Sequence, residues 1–139
     1  RDRVVKKVYE AIAPFSAELA KQLPMTHQSR IEESEHFLQM QEVEGDPNTD
    51  TLIEIIEAKE SWAKYRLTPG SGKKHQLRCH LNALNIPMKN DQIYPILTPY
   101  QEYDLDFSKP LQLLAKEVSF QDPITGQLRT FRSSQELVF

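Results

Sequence analysis

Alternation of apolar and polar residues along the chain predicts strands more often than helices. The clearest strand patterns are rich in β-branched or aromatic side chains, and several end at proline or at a glycine-containing turn. They cover residues 4–14, 36–43, 51–58, 62–67, 111–121 and 127–132. The third and fourth lie close enough to form an antiparallel hairpin around Glu60 and Ser61. Residues 25–34 are polar and without periodicity, so they predict a loop.

Two stretches favour helices. Residues 15–23 predict a short helix with Ser16 as its N-cap and Pro24 as its stop. A second helix of about three turns is predicted by an apolar stripe at helical spacing, formed by Leu77, Leu81 and Leu84. Residues 95–110 contain three prolines and predict an irregular connection. The whole pattern predicts an α+β fold, a mainly antiparallel mixed sheet with a few helices.

Composition narrows the class of protein. Hydrophobic residues make up 39% of the 139 residues and charged residues 27%, which suits a domain that buries a core. No apolar run approaches the roughly 20 residues of a membrane-spanning helix. Cys79 is the single cysteine, which excludes an internal disulfide and favours a cytoplasmic setting. The chain begins at Arg1 without a secretory pattern, so we expect a piece of a longer protein.

Charge is distributed unevenly, although the net charge is only −3. Residues 32–60 hold ten acids and one base, Lys59, whereas residues 61–90 hold no acid. The second stretch contains six bases: Lys64, Arg66, Lys73, Lys74, Arg78 and Lys89. Such a stretch can form a local positive surface for nucleic acid. A solvated, lysine-rich face is an equally good interpretation of the charge pattern alone.

The most informative stretch for chemistry is residues 69–81, where a glycine-rich turn runs into the predicted second helix, whose first turns carry Lys73, Lys74, His75 and Arg78. Backbone N–H groups at a helix start favour an anion, and the basic side chains nearby add to that preference. The spacing of Gly and Lys is not that of a Walker loop. His75 and His80 would lie on different sides of a helix, with no cysteine or acid at ligand spacing, which argues against a metal site there.

Residues 72–81 are similar to the pattern Gly-Arg-Thr-His-Gln-Ile-Arg-Val-His-Leu. The identical positions are Gly72, His75, Gln76, Arg78, His80 and Leu81. The similarity continues through residues 83–95, although Asn85, Asn90 and Pro95 depart from the usual turn residues. This pattern is the signature of the RluA-type RNA pseudouridine synthases, and the chain resembles that family.

Two flanking pieces of the chain resemble the same family. Residues 7–11 look like its Lys-x-Tyr-x-Ala strand, and residues 114–126 look like its closing hairpin. The matches occur in the family's order and cover nearly the whole chain. Residues 15–28 have no clear counterpart and look like an insertion. The resemblance implies that residues 1–139 are the C-terminal portion of a catalytic domain with the pseudouridine synthase fold.

The resemblance also implies an activity. These enzymes isomerise uridine to pseudouridine in ribosomal or transfer RNA, without cofactor or metal, and the longer protein is expected to be monomeric. Their nucleophilic aspartate lies in an Arg-Leu-Asp-x-x-Thr-Ser-Gly motif upstream of the Lys-x-Tyr strand. The sequence has no such motif, since Leu105-Asp106 has different neighbours and the wrong position. We therefore expect the N-terminal portion with this aspartate to be absent, and the chain alone to be inactive.

Residue roles carry over only where positions match. The family tyrosine, which packs on the target base and is a proposed proton acceptor, corresponds to Tyr9, and the arginine that pairs with the aspartate corresponds to Arg78. Packing in a core and a surface position on a helix are the alternative interpretations of these two. The predicted RNA-binding residues are Lys7, Lys73, Lys74, His75, Gln76 and His80. For His75 and Gln76 a purely structural role is as good an interpretation.

Two other functions remain open at this stage. The first is an RNA-binding module without catalysis, which the absent aspartate favours. The second is a protein-interaction domain that uses the acidic residues 32–60. Half of a larger sheet would also leave an open strand edge, through which the chain could pair with a second copy.

Overall fold

The structure is a computed structural model that describes residues 3–35, 39–94 and 110–139. Its elements in chain order are β1 (Arg3–Pro14), α1 (Ala17–Ala20), β2 (Met25–Glu33), β3 (Met40–Val43), β4 (Thr49–Lys59), β5 (Trp62–Pro69), α2 (Gln76–Ala83), β6 (Leu113–Gln121) and β7 (Leu128–Arg132). Most of the predicted connection at residues 95–110, including Leu105-Asp106, lies outside the described residues, as do residues 36–38 of a predicted strand.

The strands form one seven-stranded sheet within the described ranges, in the order β3-β2-β4-β5-β1-β6-β7. Every neighbouring pair is antiparallel, so the sheet has no parallel pairing there and the predicted α+β class is confirmed. The predicted hairpin of β4 and β5 is also confirmed, and Glu60 adopts a left-handed φ of 59° in its turn. Strand β1 lies in the interior of the sheet, between β5 and β6.

The core lies between one face of the sheet and α2. Apolar residues that alternate along β1, β4 and β5 meet the apolar stripe of the helix, as period-2 and period-3.6 patterns require. Its fully buried members include Ala11, Ile53, Tyr65, Leu67 and Leu81. Leu77 is also buried and Leu84 partly so, which confirms the predicted stripe. Because the apolar stripe of α2 packs on the sheet, the directions of the side chains on the other sides of this helix are also fixed.

Two element predictions are wrong. Residues 25–34 were predicted as a loop, but Met25–Glu33 form β2, a strand whose side chains are mostly polar and are half-buried or exposed except for Ile31. The second helix begins only at Gln76 and has about two turns, because His75 adopts a left-handed φ of 55° and breaks the helix there. Lys73 and Lys74 therefore belong to the preceding turn rather than to the helix.

The first helix agrees with prediction in type and in its cap. Ser16 Oγ accepts a hydrogen bond from the backbone N–H of Leu19, as an N-cap serine does. Among the described residues, neither α1 nor α2 has the length and apolar character that crossing a bilayer demands.

Candidate active site

A cleft of about 340 Å³ opens where β1, the end of β5, α2 and the start of β6 meet. Its lining includes Lys7, Tyr9, Lys73, Gln76 and Arg78. Lys7 and Tyr9 are two residues apart on β1, so their side chains leave the same face of the strand. Arg78 approaches from the first turns of α2. The fold thus brings Tyr9 and Arg78 to one cleft, although they are distant in sequence.

Tyr9 lies at an irregularity of the sheet. In the β1–β6 pairing, Val8 is opposite Glu117 and Tyr9 is opposite Ala115, so the ladder skips one residue of β6. Such irregularities increase the local twist and re-aim side chains, and they are frequent beside active sites. The ring of Tyr9 packs partly against the core. Its hydroxyl makes no hydrogen bond among the described residues and remains available in the cleft.

Arg78 is held by an ion pair with Asp91. Its Nε donates to Asp91 Oδ2 at 3.1 Å and its Nη2 donates to Asp91 Oδ1 at 2.6 Å, a bidentate arrangement. The Asp91 side chain is only 1% exposed. Its Oδ1 also accepts the backbone N–H groups of Ile93 and Tyr94. The guanidinium additionally lies 5.6 Å from the centre of the Tyr94 ring.

Gln76 organises the glycine-rich turn from inside. Its Oε1 accepts hydrogen bonds from Ser71 Oγ and the backbone N–H of Lys73. Its Nε2 donates to the backbone carbonyl of Asp50 and to Thr51 Oγ1. The residue is 4% exposed and its hydrogen-bonding capacity is used within the protein. It therefore fixes the path of the turn that presents Lys73 and Lys74.

His75 lies on the rim of the cleft beside Tyr94. The Tyr94 hydroxyl accepts a hydrogen bond from the backbone N–H of Met40 and lies 3.0 Å from His75 Nδ1, to which it can donate. Burial is the largest cause of a lowered pKa of His75, and the charges of Arg78 and Lys74 lower it further. The imidazole is therefore more often neutral than an ordinary histidine at a given pH.

His80 does not reach the surface. It is 0% exposed, its Nδ1 lies 2.9 Å from Thr51 Oγ1, and its Nε2 lies 3.0 Å from Thr49 Oγ1. Burial, with a further contribution from His27, lowers the pKa of His80 to about 4. A fully buried, hydrogen-bonded side chain has no surface to offer RNA. The prediction of an RNA contact at His80 is thus replaced by an interior role.

The positive surface is smaller than the sequence suggested. Arg66 lies 3.7 Å from Glu54 across the β4–β5 hairpin, and Arg78 is neutralised by Asp91. Lys89 donates to the backbone carbonyl of Phe139 and lies over the Trp62 ring. Lys7 and Lys73 line the cleft, and Lys74 adjoins them in the turn. These three lysines are the main positive charges at the cleft among the described residues.

Comparison with known proteins identifies the family. The family model described as RNA pseudouridylate synthase matches residues 1–83, which include every element from β1 to α2. The chain belongs to the RNA pseudouridylate synthase family. Several of the curated proteins that it resembles are RluA enzymes. The dual-specificity RNA pseudouridine synthase RluA of Vibrio cholerae is 34% identical over 80 residues, covering 58% of this chain and 31% of that protein.

Other pseudouridine synthases give the same result. RluA of Haemophilus influenzae is 36% identical over 73 residues, covering 52% of this chain and 31% of the relative. RNA pseudouridine synthase 1 of Oryza sativa is 36% identical over 75 residues, covering 54% of this chain and 21% of that protein. The chain therefore spans about a third or less of the curated relatives it matches.

Solved structures share the fold. Human RNA pseudouridylate synthase domain containing 1 superposes with a TM-score of 0.72 at 20% identity, covering 96% of this chain and 55% of that one. Human RNA pseudouridylate synthase domain containing 4 superposes with a TM-score of 0.65 at 20% identity, covering 96% of this chain and 58% of that one. The fold likeness thus extends beyond the residues matched by the family model.

Sequence reasoning missed Asp91 and Tyr94 as parts of this site. Both lie in residues 83–95, where the chain resembles the synthase pattern, so the resemblance contained a signal for them. Their contacts with Arg78 depend on how the chain returns after α2, which no local pattern shows. The pairing of Arg78 with Asp91 was likewise not indicated by the sequence.

Proposed function

We propose that this chain forms the Tyr9 and Arg78 side of the active site of an enzyme that isomerises uridine to pseudouridine in ribosomal or transfer RNA. The observation that carries the proposal is that both residues line one cleft together with Lys7 and Lys73. A cleft of about 340 Å³ is in the range of small-ligand sites, and so it suits one flipped nucleobase. The lysines suit the phosphates on either side of that base.

The proposed chemistry assigns each side chain a task. A carboxylate attacks the nucleoside, the glycosidic bond breaks, and the uracil rejoins the sugar through carbon. Tyr9 stacks on the uracil and accepts the proton released from the base carbon. Arg78 pairs with the attacking carboxylate. Two of its nitrogens are committed to Asp91, and Nη1 makes no hydrogen bond among the described residues, so it can take a second carboxylate.

The nucleophile comes from outside these 139 residues in this proposal. The sequence contains no Arg-Leu-Asp-x-x-Thr-Ser-Gly motif. Tyrosine is a weak nucleophile at neutral pH, since its unperturbed pKa is about 10, and arginine is none. We therefore assign residues 1–139 to the C-terminal portion of a catalytic domain and expect no turnover by this chain alone.

The test is tritium release from uridine-labelled RNA. The longer protein that contains this chain should release tritium from ribosomal or transfer RNA, and the chain alone should not. In the longer protein, Tyr9→Phe should lower kcat by about a hundredfold or more, the usual range for losing a positioned proton acceptor. Arg78→Lys should also lower kcat, because lysine cannot make the bidentate contact with Asp91 that holds the side chain in place.

Arg66→Lys provides the matched control, because Arg66 is 45% exposed and is not part of the cleft lining. Its activity should equal that of the unaltered protein. Turnover by the chain alone would show that the nucleophile lies within it. Full activity of Tyr9→Phe would remove the proposed role of Tyr9.

A second candidate is an RNA-binding module without catalysis. It is favoured by the lysines at the turn, which Gln76 orders through the backbone of Lys73, and by the missing motif. The two functions separate in one experiment. A longer protein that binds RNA but releases no tritium from either RNA class would support the module and overturn the enzyme.

A further inference from the structure

A second group of polar side chains lies on the other side of α2 from the cleft. His27 comes from β2, Glu42 from β3 and His80 from α2. His27 Nε2 is 2.6 Å from Glu42 Oε2, and His80 Nε2 is 3.9 Å from the same oxygen. One nitrogen or oxygen from each residue lies within 4.8 Å of the others. No spacing in the sequence links these three positions, since the sheet order alone brings them together.

The sheet builds a polar recess for this cluster. His27 is opposite Thr51 in the β2–β4 ladder and Ser29 is opposite Thr49, so all four lie on neighbouring positions of the two strands. His80 packs onto them from α2, with its ring 4.6 Å from that of His27 in an edge-to-face arrangement. The side chains of His27 and Glu42 are 17% and 26% exposed, so the recess is open to solvent on one side.

We propose that His27, Glu42 and His80 form a binding site for a divalent transition-metal cation, with Zn²⁺ as the preferred ion. Two imidazole nitrogens and one carboxylate oxygen are a ligand set that Zn²⁺ uses, and they suit other transition metals better than Mg²⁺ or Ca²⁺. Bonds of 2.0–2.2 Å in tetrahedral geometry separate the ligand atoms by about 3.3 Å. Glu42 Oε2 lies 2.6 and 3.9 Å from the two histidine nitrogens, and the three ligand atoms lie within 4.8 Å of one another, so the partly exposed His27 and Glu42 side chains would rotate to close around the ion.

The surroundings of His80 suit a ligand. When Nε2 faces the ion, Nδ1 carries the proton and donates to Thr51 Oγ1, which lies 2.9 Å away. Metal-binding histidines are usually oriented by such a hydrogen bond from the other ring nitrogen. Ser29 Oγ and Thr49 Oγ1 lie 3.1 and 3.0 Å from Nε2, so the ion would replace their hydrogen bonds with the ring. Ser29 Oγ is then close enough to bond a water in the fourth coordination position.

The ion would have a structural role rather than a catalytic one. It joins β2 and β3, the two strands at one end of the sheet, to α2. The same Thr51 hydroxyl that contacts His80 also accepts a hydrogen bond from Gln76, which orders the cleft turn. A bound ion would therefore hold α2 and the turn in place from behind. The proposal does not depend on the proposed synthase function.

Isothermal titration of the full 139-residue chain with Zn²⁺ tests the site. We expect one equivalent to bind, and Co²⁺ in its place to give the visible absorption of a four-coordinate ion. His27→Gln and Glu42→Gln should each weaken Zn²⁺ binding at least tenfold, about the smallest effect that losing even an orienting partner has. Both residues are partly exposed, so these variants should keep the fold, which far-UV circular dichroism checks.

His75→Gln is the matched control, because it removes a histidine at the N-terminus of α2 that is not part of the cluster, and its Zn²⁺ affinity should be unchanged. Equal affinity of the wild-type chain and both cluster variants would overturn the proposal. Loss of Zn²⁺ binding in His75→Gln would also overturn it, because the ion would then lie in the cleft. Binding of less than one equivalent of Zn²⁺ by the wild-type chain would overturn it as well.

Discussion

At the scale of single residues, Asp91 fixes Arg78 more than any other neighbour does. Its carboxylate takes two hydrogen bonds from the guanidinium and two from backbone N–H groups, and it is almost completely buried. A buried charge with this many donors makes its partner rigid. Asp91 is thus a positioning residue for whatever Arg78 binds in the cleft.

Asp91→Asn should lower the free energy of unfolding by about 3 kcal/mol, because it leaves the largely buried Arg78 charge without its partner. Urea unfolding of the chain measures the change. Glu54→Gln is the control, since it removes a carboxylate from an exposed pair with Arg66 and should change that free energy by less than about 1 kcal/mol. Equal losses in the two variants would contradict the assigned role of Asp91.

His75 gives a prediction about pH. Its pKa is lowered by burial and by neighbouring positive charges, so the ring gains its proton only below the ordinary range near 6.5. Each added proton increases the positive charge at the rim of the cleft. We therefore expect RNA affinity to rise as pH falls below that range. Fluorescence anisotropy at several pH values measures the RNA affinity. The His75→Gln variant should lose the rise in affinity at low pH. If its affinity still rises as in the unaltered chain, His75 is not the group responsible.

Residues of the cleft could be selected from the sequence only where a motif names them. Tyr9 and Arg78 could be selected from the sequence because each lies in a recognisable stretch. The pairing of Arg78 with Asp91, and of His27 with Glu42, could not be selected, because each joins different elements through the path of the chain. His80 was assigned to RNA for a similar reason, since burial on one side of a short helix is decided by what packs there.

At the scale of elements, β2 shows where pattern reasoning fails. Strands are recognised by alternating apolar residues, but the inward positions of β2 include His27 and Ser29, which hydrogen-bond to Glu42 and to His80. A strand that buries polar partners has no apolar signature. The helix start was misjudged because His75 has a left-handed φ, and because the residues before it are held in a turn by the hydrogen bonds of Ser71 and Lys73 to Gln76.

The turn before α2 carries a prediction of its own. Changing both Lys73 and Lys74 to Glu should weaken RNA binding and lessen the slope of log affinity against log salt by about 0.7 for each phosphate that the lysines no longer neutralise. Filter binding at several salt concentrations measures both quantities. The double change of Lys21 and Lys59 to Glu is the control, as both are exposed and outside the cleft lining. Equal effects of the two double variants would indicate a diffuse charge effect.

At the scale of the whole molecule, the sheet has two edges, β3 and β7. Strand β7 is exposed along its entire length and carries Leu128 and Phe131, which are 63% and 58% exposed. Phe131 stacks on Phe120 of β6. An apolar edge strand of this kind offers unpaired backbone groups to another chain. The α+β class was predictable from the sequence, but which strands lie at the edges was not.

We expect the chain to self-associate through β7 in a concentration-dependent way. Phe131→Lys should shift sedimentation equilibrium towards the monomer, because charge on an edge strand discourages pairing. Phe15→Lys is the control, since Phe15 is 39% exposed but lies outside the strands. A monomeric wild-type chain at all concentrations would leave β7 without this role.

The interior position of β1 affects the order in which the sheet can fold during synthesis on the ribosome. Tyr9 lies opposite Leu67 on one side and Ala115 on the other, so β1 must wait for two partners that are made later in synthesis. The hairpins of β4 with β5 and of β6 with β7 can close locally, whereas β1 joins them only after long loops have closed. The cleft therefore takes shape only after β6 has been made and has paired with β1.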